Sequence, residues 1–372
     1  MNRRVLLFSL PLVLAACATQ APPLASPVVS PQAPVAVPAT ALLPPIPQPP
    51  ERPLAPTTVT DPLLPQAQRV DAFVDYTATT YGIAPQAIRD GLAQAQFLQR
   101  TVDIISRPAE AVRPWRDYRP IFLNDARIAG GVAFYTQNRA ALDRIAASSG
   151  VPAQYIVAII GVETNYGKNT GNYRVLDALY SLAFGYPKRA PFFAGELAQL
   201  FALGKDEHID VAALKGSYAG AMGWGQFMPS SYRLWGKDGD GDGKRDLIND
   251  KNDVFASIAN YFVVHGWQHD GPVVARAMRD AGAGDFIPDT IDPVYPLSAL
   301  AQRGYHPQTG EAIPAAGAAD GATLVTLDGE AGKEYWLGYR NFYVITRYNH
   351  SPMYAMAVYQ LAQAIRAGSG GG

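Results

Sequence analysis

Val151-Pro152-Ala153-Gln154-Tyr155-Ile156-Val157-Ala158-Ile159-Ile160-Gly161-Val162-Glu163-Thr164-Asn165-Tyr166-Gly167 is the stretch on which the reading of this 372-residue chain turns. Tyr155 to Val162 is apolar except for one phenol hydroxyl, and Pro152 stands where a helix begins. The segment therefore predicts a buried helix starting near Val151. Asn165 and Gly167 are helix-stop signals, which puts Glu163 in the last turn. Apart from Glu163, no acidic residue falls between Asp143 and Asp177. Burial and the negative end of the helix dipole both press a carboxyl there toward its neutral form. A carboxylic acid kept protonated near neutral pH is the general acid that cleavage of a glycosidic bond needs. From this stretch alone, a Glu salt-bridged at a helix end is the competing reading.

Outward from that stretch, helical periodicity covers 70–80, 85–98, 126–148, 152–164, 175–184, 190–206, 253–265 and 352–366. Gly266 suits the end of the 253–265 helix, and Ser351-Pro352 suits the start of the last one. Alternation of β-branched and aromatic residues at Thr323–Leu327, Tyr335–Leu337 and Phe342–Thr346 predicts a small sheet. The body reads as mainly α with a minor β element, as one catalytic unit over 66–367 that could divide into two lobes. Hydrophobic residues make up 48% of the chain, enough for a full core, and the formal charge of −1 carries no basic stripe for nucleic acid. Most of the 20 Tyr and 5 Trp are expected in the core, though aromatic rings also pack on sugar faces.

Residues 1–17 read as an export signal. Arg3 and Arg4 precede a mostly apolar segment, Val5 to Ala16, too short to span a bilayer. It closes on Leu14-Ala15-Ala16-Cys17, a box similar to that of bacterial lipoproteins, so Cys17 is expected to be lipidated. The alternative is an ordinary secretory signal with an incidental cysteine. Cys17 is the single cysteine, so no internal disulfide can form. With Ala18 rather than Asp next, the similarity to Gram-negative lipoproteins implies the periplasmic face of the outer membrane. Residues 18–65 are rich in Pro and Ala and are expected to form a semi-rigid, extended tether.

Four further segments carry chemistry. Gly216 to Tyr232 is dense in glycine and offers Ser217, Gln226 and Tyr232 beside Met222 and Trp224. It lacks a GxSxG elbow, so a serine nucleophile is not expected, and a packing turn is the plainer reading. Asp238-Gly239-Asp240-Gly241-Asp242-Gly243-Lys244-Arg245-Asp246 follows the first part of an EF-hand loop, and such hard oxygen ligands favour calcium. Position 12 is Asn249, so Asp250 or Asp253 must complete the shell, and a solvated turn without an ion stays open. Tyr186-Pro187-Lys188-Arg189-Ala190 places two cations where a helix starts, unfavourable for the helix dipole, which points to a ligand or to a solvated loop end. In Phe342–Ser351, Asn349 has the donor and acceptor set that fixes an acetamido group. The five scattered histidines show no HExxH spacing.

Taken in order, Gly161-Val-Glu-Thr-Asn-Tyr-Gly167, Gly216–Tyr232, the Asp loop and Arg347-Tyr-Asn-His-Ser351 resemble the membrane-bound lytic murein transglycosylase B family, over roughly residues 68–366. The resemblance implies a lysozyme-like helical core with a metal loop over 238–253. It implies cleavage of the β-1,4 bond between N-acetylmuramic acid and N-acetylglucosamine, without water, to a 1,6-anhydromuramoyl end. Carried over by position, Glu163 is the single acid/base. Tyr118, Lys188, Arg189, Ser217, Gln226, Tyr261, Tyr348 and Asn349 line the glycan cleft. Asp238, Asp240, Asp242, the Lys244 carbonyl and Asp253 hold a structural Ca2+, with no organic cofactor. Lys188 stands where Arg is expected in relatives, which removes bidentate contact there. The implied partners are peptidoglycan strands, the outer membrane through the lipid anchor, and proteins of cell-wall synthesis or lysis. Two other readings remain: a lysozyme-type hydrolase using Asp177 or Glu196 as second carboxylate, and a non-catalytic peptidoglycan-binding lipoprotein.

Overall fold

The computed structural model describes residues 54–106, 113–314 and 321–370. Cys17, the export signal and the tether up to residue 53 lie outside the described residues. The described chain falls into two compact units, one of residues 54–269 and 356–370, the other of residues 270–355.

The first unit is helical. Its elements are α1 (Thr57–Thr60), α2 (Gln66–Tyr81), α3 (Pro85–Ala93), α4 (Gln99–Ser106), α5 (Trp115–Phe122), α6 (Asp125–Gln137), α7 (Arg139–Ser149), α8 (Ala153–Thr164), β1 (Tyr173–Arg174), α9 (Val175–Gly185), α10 (Ala190–Glu207), β2 (Lys215–Gly216), α11 (Pro229–Trp235) and α12 (Lys251–Val264). The second unit holds β3 (Val274–Arg279), α13 (Leu297–Gln302), β4 (Tyr305–Pro307), β5 (Thr323–Gly329), β6 (Gly332–Gly338) and α14 (Arg340–Tyr348). The last helix, α15 (Pro352–Gly368), begins in the second unit and belongs to the first from Met356 onward.

α8 is the core helix. Ile156 to Ile160 are fully buried, so the helix is apolar on all sides and is covered by α6, α7 and α12. Its end matches the sequence reading. Asn165 adopts the left-handed conformation, its N–H bonds the Gly161 carbonyl, and the Tyr166 N–H bonds the Ile160 carbonyl. Glu163 thus sits in the final turn. α9 and α10 pack against each other, and Pro191 and Pro229 occupy the first turns of α10 and α11, where no N–H is required.

Several expectations change. The stretch 126–148 is two helices, because Asn138 turns its amide onto the Phe134 carbonyl at 2.8 Å and competes with the backbone ladder. The helix expected over 85–98 stops at Ala93, and α4 starts anew at Gln99. The tether expectation runs too far: Ala55 donates to the Pro191 carbonyl and Val59 is fully buried, so the chain is docked well before residue 65.

In the second unit, the sheet is antiparallel in the order β4-β3-β6-β5, with Val325 opposite Trp336 and Ala275 opposite Leu337. Its core gathers Ala275, Leu300, Tyr305, Leu324, Leu337 and Tyr339. The strands expected at Thr323–Leu327 and Tyr335–Leu337 form β5 and β6. Phe342–Thr346 does not: it lies in α14, with Asn341 to Thr346 all buried. A short apolar run buried on every side has no period to separate strand from helix.

Candidate active site

The helix end that carries Glu163 is held by its neighbours. The Thr164 hydroxyl, itself fully buried, lies 3.1 Å from the Ile160 carbonyl and 3.0 Å from the Trp224 carbonyl, and it accepts the Gly167 N–H at 3.0 Å. This ties the end of α8 to the glycine-rich segment. Gly167, at φ +80°, lies against the Trp224 ring, and a Cβ there would come within 2.5 Å of it. Gly171 permits a second close approach: a Cβ would fall 2.0 Å from the Gly216 carbonyl oxygen. The β1–β2 pairing, Tyr173 with Gly216, continues this seam. Gln226, at φ 52°, donates to the carbonyls of Thr170 at 3.1 Å and Gly223 at 3.0 Å, so its amide braces the loop after α8.

Glu163 is half-buried. Tyr118 on α5 is within its electric field: burial, and then the Glu163 charge, push the Tyr118 phenol well above the usual tyrosine range. Trp115 and Phe122 flank Tyr118 at ring separations of 6.2 and 5.2 Å. Arg127, which sequence reasoning did not single out, donates from its guanidinium to the Gly161 carbonyl, while its own carbonyl accepts the Tyr166 hydroxyl at 2.7 Å. The signal was available in Asn124, a helix cap that accepts the Arg127 N–H and so fixes where this arginine stands on α6.

The other expected site residues are distributed as follows. Lys188 is exposed on a 3-10 turn, Pro187–Arg189. Arg189 lies over the rings of Phe192 and Phe193 at 4.5 and 5.2 Å, and its charge tempers the burial-driven rise of the Tyr218 phenol. Ser217 is buried and its hydroxyl accepts the N–H groups of Ala219 and Ala221, so it closes the glycine-rich turn. Tyr261 is buried on α12, stacked on His265 at 3.9 Å and edge-on to Trp235. Tyr348 ends α14 in the second unit, and Asn349 is its cap. The Glu163 charge reaches Tyr118, the end of α8 is tied to Trp224 through Thr164, and Gln226 braces the loop beyond it at Thr170.

Asp177 and Glu196 are sealed in the core at 4% and 2% exposure. Asp177 accepts the Gln96 N–H at 2.9 Å and pairs with Arg174 at 3.2 Å. Glu196 accepts the Ser230 N–H at 2.9 Å and the Ser230 hydroxyl at 2.6 Å. Both carboxylates are engaged in joining segments of the fold.

In the acidic loop between α11 and α12, carboxylate oxygens of Asp238, Asp240 and Asp253 all lie within 4.8 Å of one another. Backbone N–H groups orient them: Gly241 and Gly243 donate to Asp238, and Gly239 and Asp246 donate to Asp253. These bonds hold the Asp238 carboxyl below the ordinary range, whereas burial raises that of Asp253. Three converging carboxylate oxygens fit a hard divalent cation. Asp250 does not join them; it caps α12 through the Asn252 N–H. Asp242 lies outside the group and accepts the Lys244 N–H.

The mainly helical, lysozyme-like body is that of an enzyme of the lytic transglycosylase class. The chain belongs to the transglycosylase SLT domain family, which matches residues 65–363. It is 41% identical over 310 residues to membrane-bound lytic murein transglycosylase B of Escherichia coli, covering 81% of this chain and 82% of that protein. The structure of the Escherichia coli lytic transglycosylase Slt35 in complex with calcium is similar at TM-score 0.72 and 40% identity, covering 81% of this chain and 93% of that one. SltB3 of Pseudomonas aeruginosa in complex with NAG-NAM-pentapeptide is similar at TM-score 0.71 and 31% identity, covering 82% and 80%.

Proposed function

We propose that this enzyme cleaves the β-1,4 bond between N-acetylmuramic acid and N-acetylglucosamine in peptidoglycan without water, with Glu163 as the single acid/base. Glu163 protonates the leaving glycosidic oxygen while the muramoyl 2-acetamido carbonyl oxygen bonds C1, so the C1–O bond breaks heterolytically. The Glu163 carboxylate then takes the proton of the C6 hydroxyl, O6 displaces the acetamido oxygen from C1, and the 1,6-anhydro ring closes. The observation that carries this reading is the contrast among the three acids. Glu163 is half-open at a helix terminus, where negative charge is disfavoured, while Asp177 and Glu196 are sealed against backbone donors. One carboxyl suffices when the substrate supplies its own nucleophile, as distinct from the paired carboxylates of most glycosidases. The names of the relatives, a murein transglycosylase and a protein holding a NAG-NAM-pentapeptide, agree with this substrate.

Tyr118, Lys188, Arg189, Ser217, Gln226 and Tyr261 are assigned to the glycan cleft by the resemblance, as are Tyr348 and Asn349 of the second unit. For Ser217, Gln226 and Tyr261 the engaged side chains favour shaping the cleft over touching sugar. Asp238, Asp240 and Asp253 would hold Ca2+, with Asp242 and the Lys244 carbonyl assigned by the resemblance. The ion would supply charge neutralisation that pins the loop between α11 and α12. Calcium in the Slt35 complex supports that choice of metal. Lipidation at Cys17 and attachment to the periplasmic face of the outer membrane follow from the cleavage box and accord with the membrane-bound E. coli relative.

Glu163→Gln keeps the shape and removes the proton. Turnover of purified sacculi is expected to fall by about 10³-fold or more, with sacculus binding and melting temperature unchanged. Wild-type turnover in that variant would remove Glu163 from the chemistry.

A further inference from the structure

A continuous hydrogen-bonded path leads from the cation loop to the residue beside Glu163. Asp253 Oδ2 accepts the Asp246 N–H at 2.6 Å. Asp246 Oδ1 accepts the Ile248 N–H at 3.0 Å. The Ile248 carbonyl accepts the Trp224 indole N–H at 3.1 Å, and the Trp224 carbonyl lies 3.0 Å from the Thr164 hydroxyl. The Trp224 ring is held on its faces as well: Gly167 lies under it, Phe134 is 5.9 Å away, and the Lys251 ammonium is 5.4 Å from the ring centre. Lys251 opens α12, the helix that supplies Asp253.

We propose that Trp224 is a positioning residue that couples cation binding in the 238–253 loop to the placement of Glu163. Its indole N–H reads the position of Ile248, and its carbonyl and ring set the last turn of α8 through Thr164 and Gly167. The coupling runs both ways, because a link that lets the cation favour one setting of α8 also lets that setting favour the cation. This inference rests on the roles proposed above for Glu163 and for Asp238, Asp240 and Asp253. It adds that the loop acts on catalysis through one named side chain, and that the same side chain reports the occupancy of the loop.

The test is Trp224→Phe, which keeps an aromatic ring and deletes the N–H, together with Thr164→Val, which deletes the hydroxyl at nearly constant volume. Calcium added to the chelator-treated wild-type protein should change indole fluorescence, and that change should vanish in Trp224→Phe. Calcium affinity by calorimetry should weaken about 3- to 10-fold in Trp224→Phe, the scale of one lost hydrogen bond. In both variants kcat on sacculi should drop about 10-fold or more with KM within about twofold, the signature of a misplaced acid and not of lost substrate contacts. A Trp224→Phe protein with wild-type calcium affinity and wild-type kcat would overturn the proposal. If Trp224→Phe does not fold, Thr164→Val decides: unchanged kcat and calcium affinity overturn the coupling. Glu163→Gln run alongside separates the two failures. If that variant stays active, the acid assignment is wrong, whereas the fluorescence and affinity readouts still judge the link between loop and helix.

Discussion

At the scale of single residues, the three acids divide by burial: Glu163 is half-buried, whereas Asp177 and Glu196 are sealed in the core. Glu196 closes the N-terminal turn of α11 through two bonds to Ser230, so Glu196→Ala leaves a buried N–H and a hydroxyl unsatisfied. We expect a stability loss of about 2–4 kcal/mol, measured by denaturant unfolding, with turnover per folded molecule close to wild type. A large loss of turnover at unchanged stability would instead make Glu196 the second carboxylate of a hydrolase. The place of Glu163 was legible because an apolar run and a pair of stop residues frame it. The engagement of Ser217 and the burial of Tyr261 were not legible, because a hydroxyl's partner depends on the turn that forms around it. For Arg127 the Asn124 cap showed its place on α6 but not its partner, because its guanidinium meets a carbonyl 34 residues away in sequence.

At the scale of elements, α8, which holds Glu163 in its last turn, is fixed in the core. Ile159 is fully buried midway along it, and Ile159→Ala is expected to cost about 2–5 kcal/mol, seen as a lower thermal midpoint. A cost under about 1 kcal/mol would mean that α8 is not the packed centre of its unit. The cation loop gives a second test at this scale. Calcium at about 100 times its dissociation constant should add about 2.7 kcal/mol of stability. Asp253→Asn should abolish that calcium-dependent gain, measured as the shift in melting temperature; an equal gain in the variant would remove Asp253 from the ligand set. Long, one-sided periodic helices were readable from the sequence. The break at Asn138 and the helical state of Phe342–Thr346 were not, since the first depends on one amide's choice of partner and the second on burial from all sides.

At the scale of the whole molecule, a body of two lobes was legible, but the sequence offers no composition shift at residue 270 to place the boundary of the second unit, whose strands show only as scattered alternation. Burial of phenols has a collective consequence. Tyr118, Tyr155, Tyr166 and Tyr232 are each pushed above their ordinary value of 10.0, chiefly by burial. Below about pH 9 both folded and unfolded chains keep these protons, and stability carries no slope from them. Above pH 10 the unfolded chain sheds protons that the folded chain retains, so stability falls as pH rises, by up to about 1.4 kcal/mol per phenol per pH unit. A melting temperature that declines steeply between pH 10 and 11 is expected; one that stays level would contradict the burial of these hydroxyls.

A lone carboxyl that cleaves glycan without water leaves a chemical mark on its products. Digestion of purified sacculi with the wild-type enzyme, followed by product masses, addresses it directly. Muropeptides with 1,6-anhydromuramoyl ends are expected, each lighter by one water than the reducing-end product. Reducing ends alone would contradict cleavage without water.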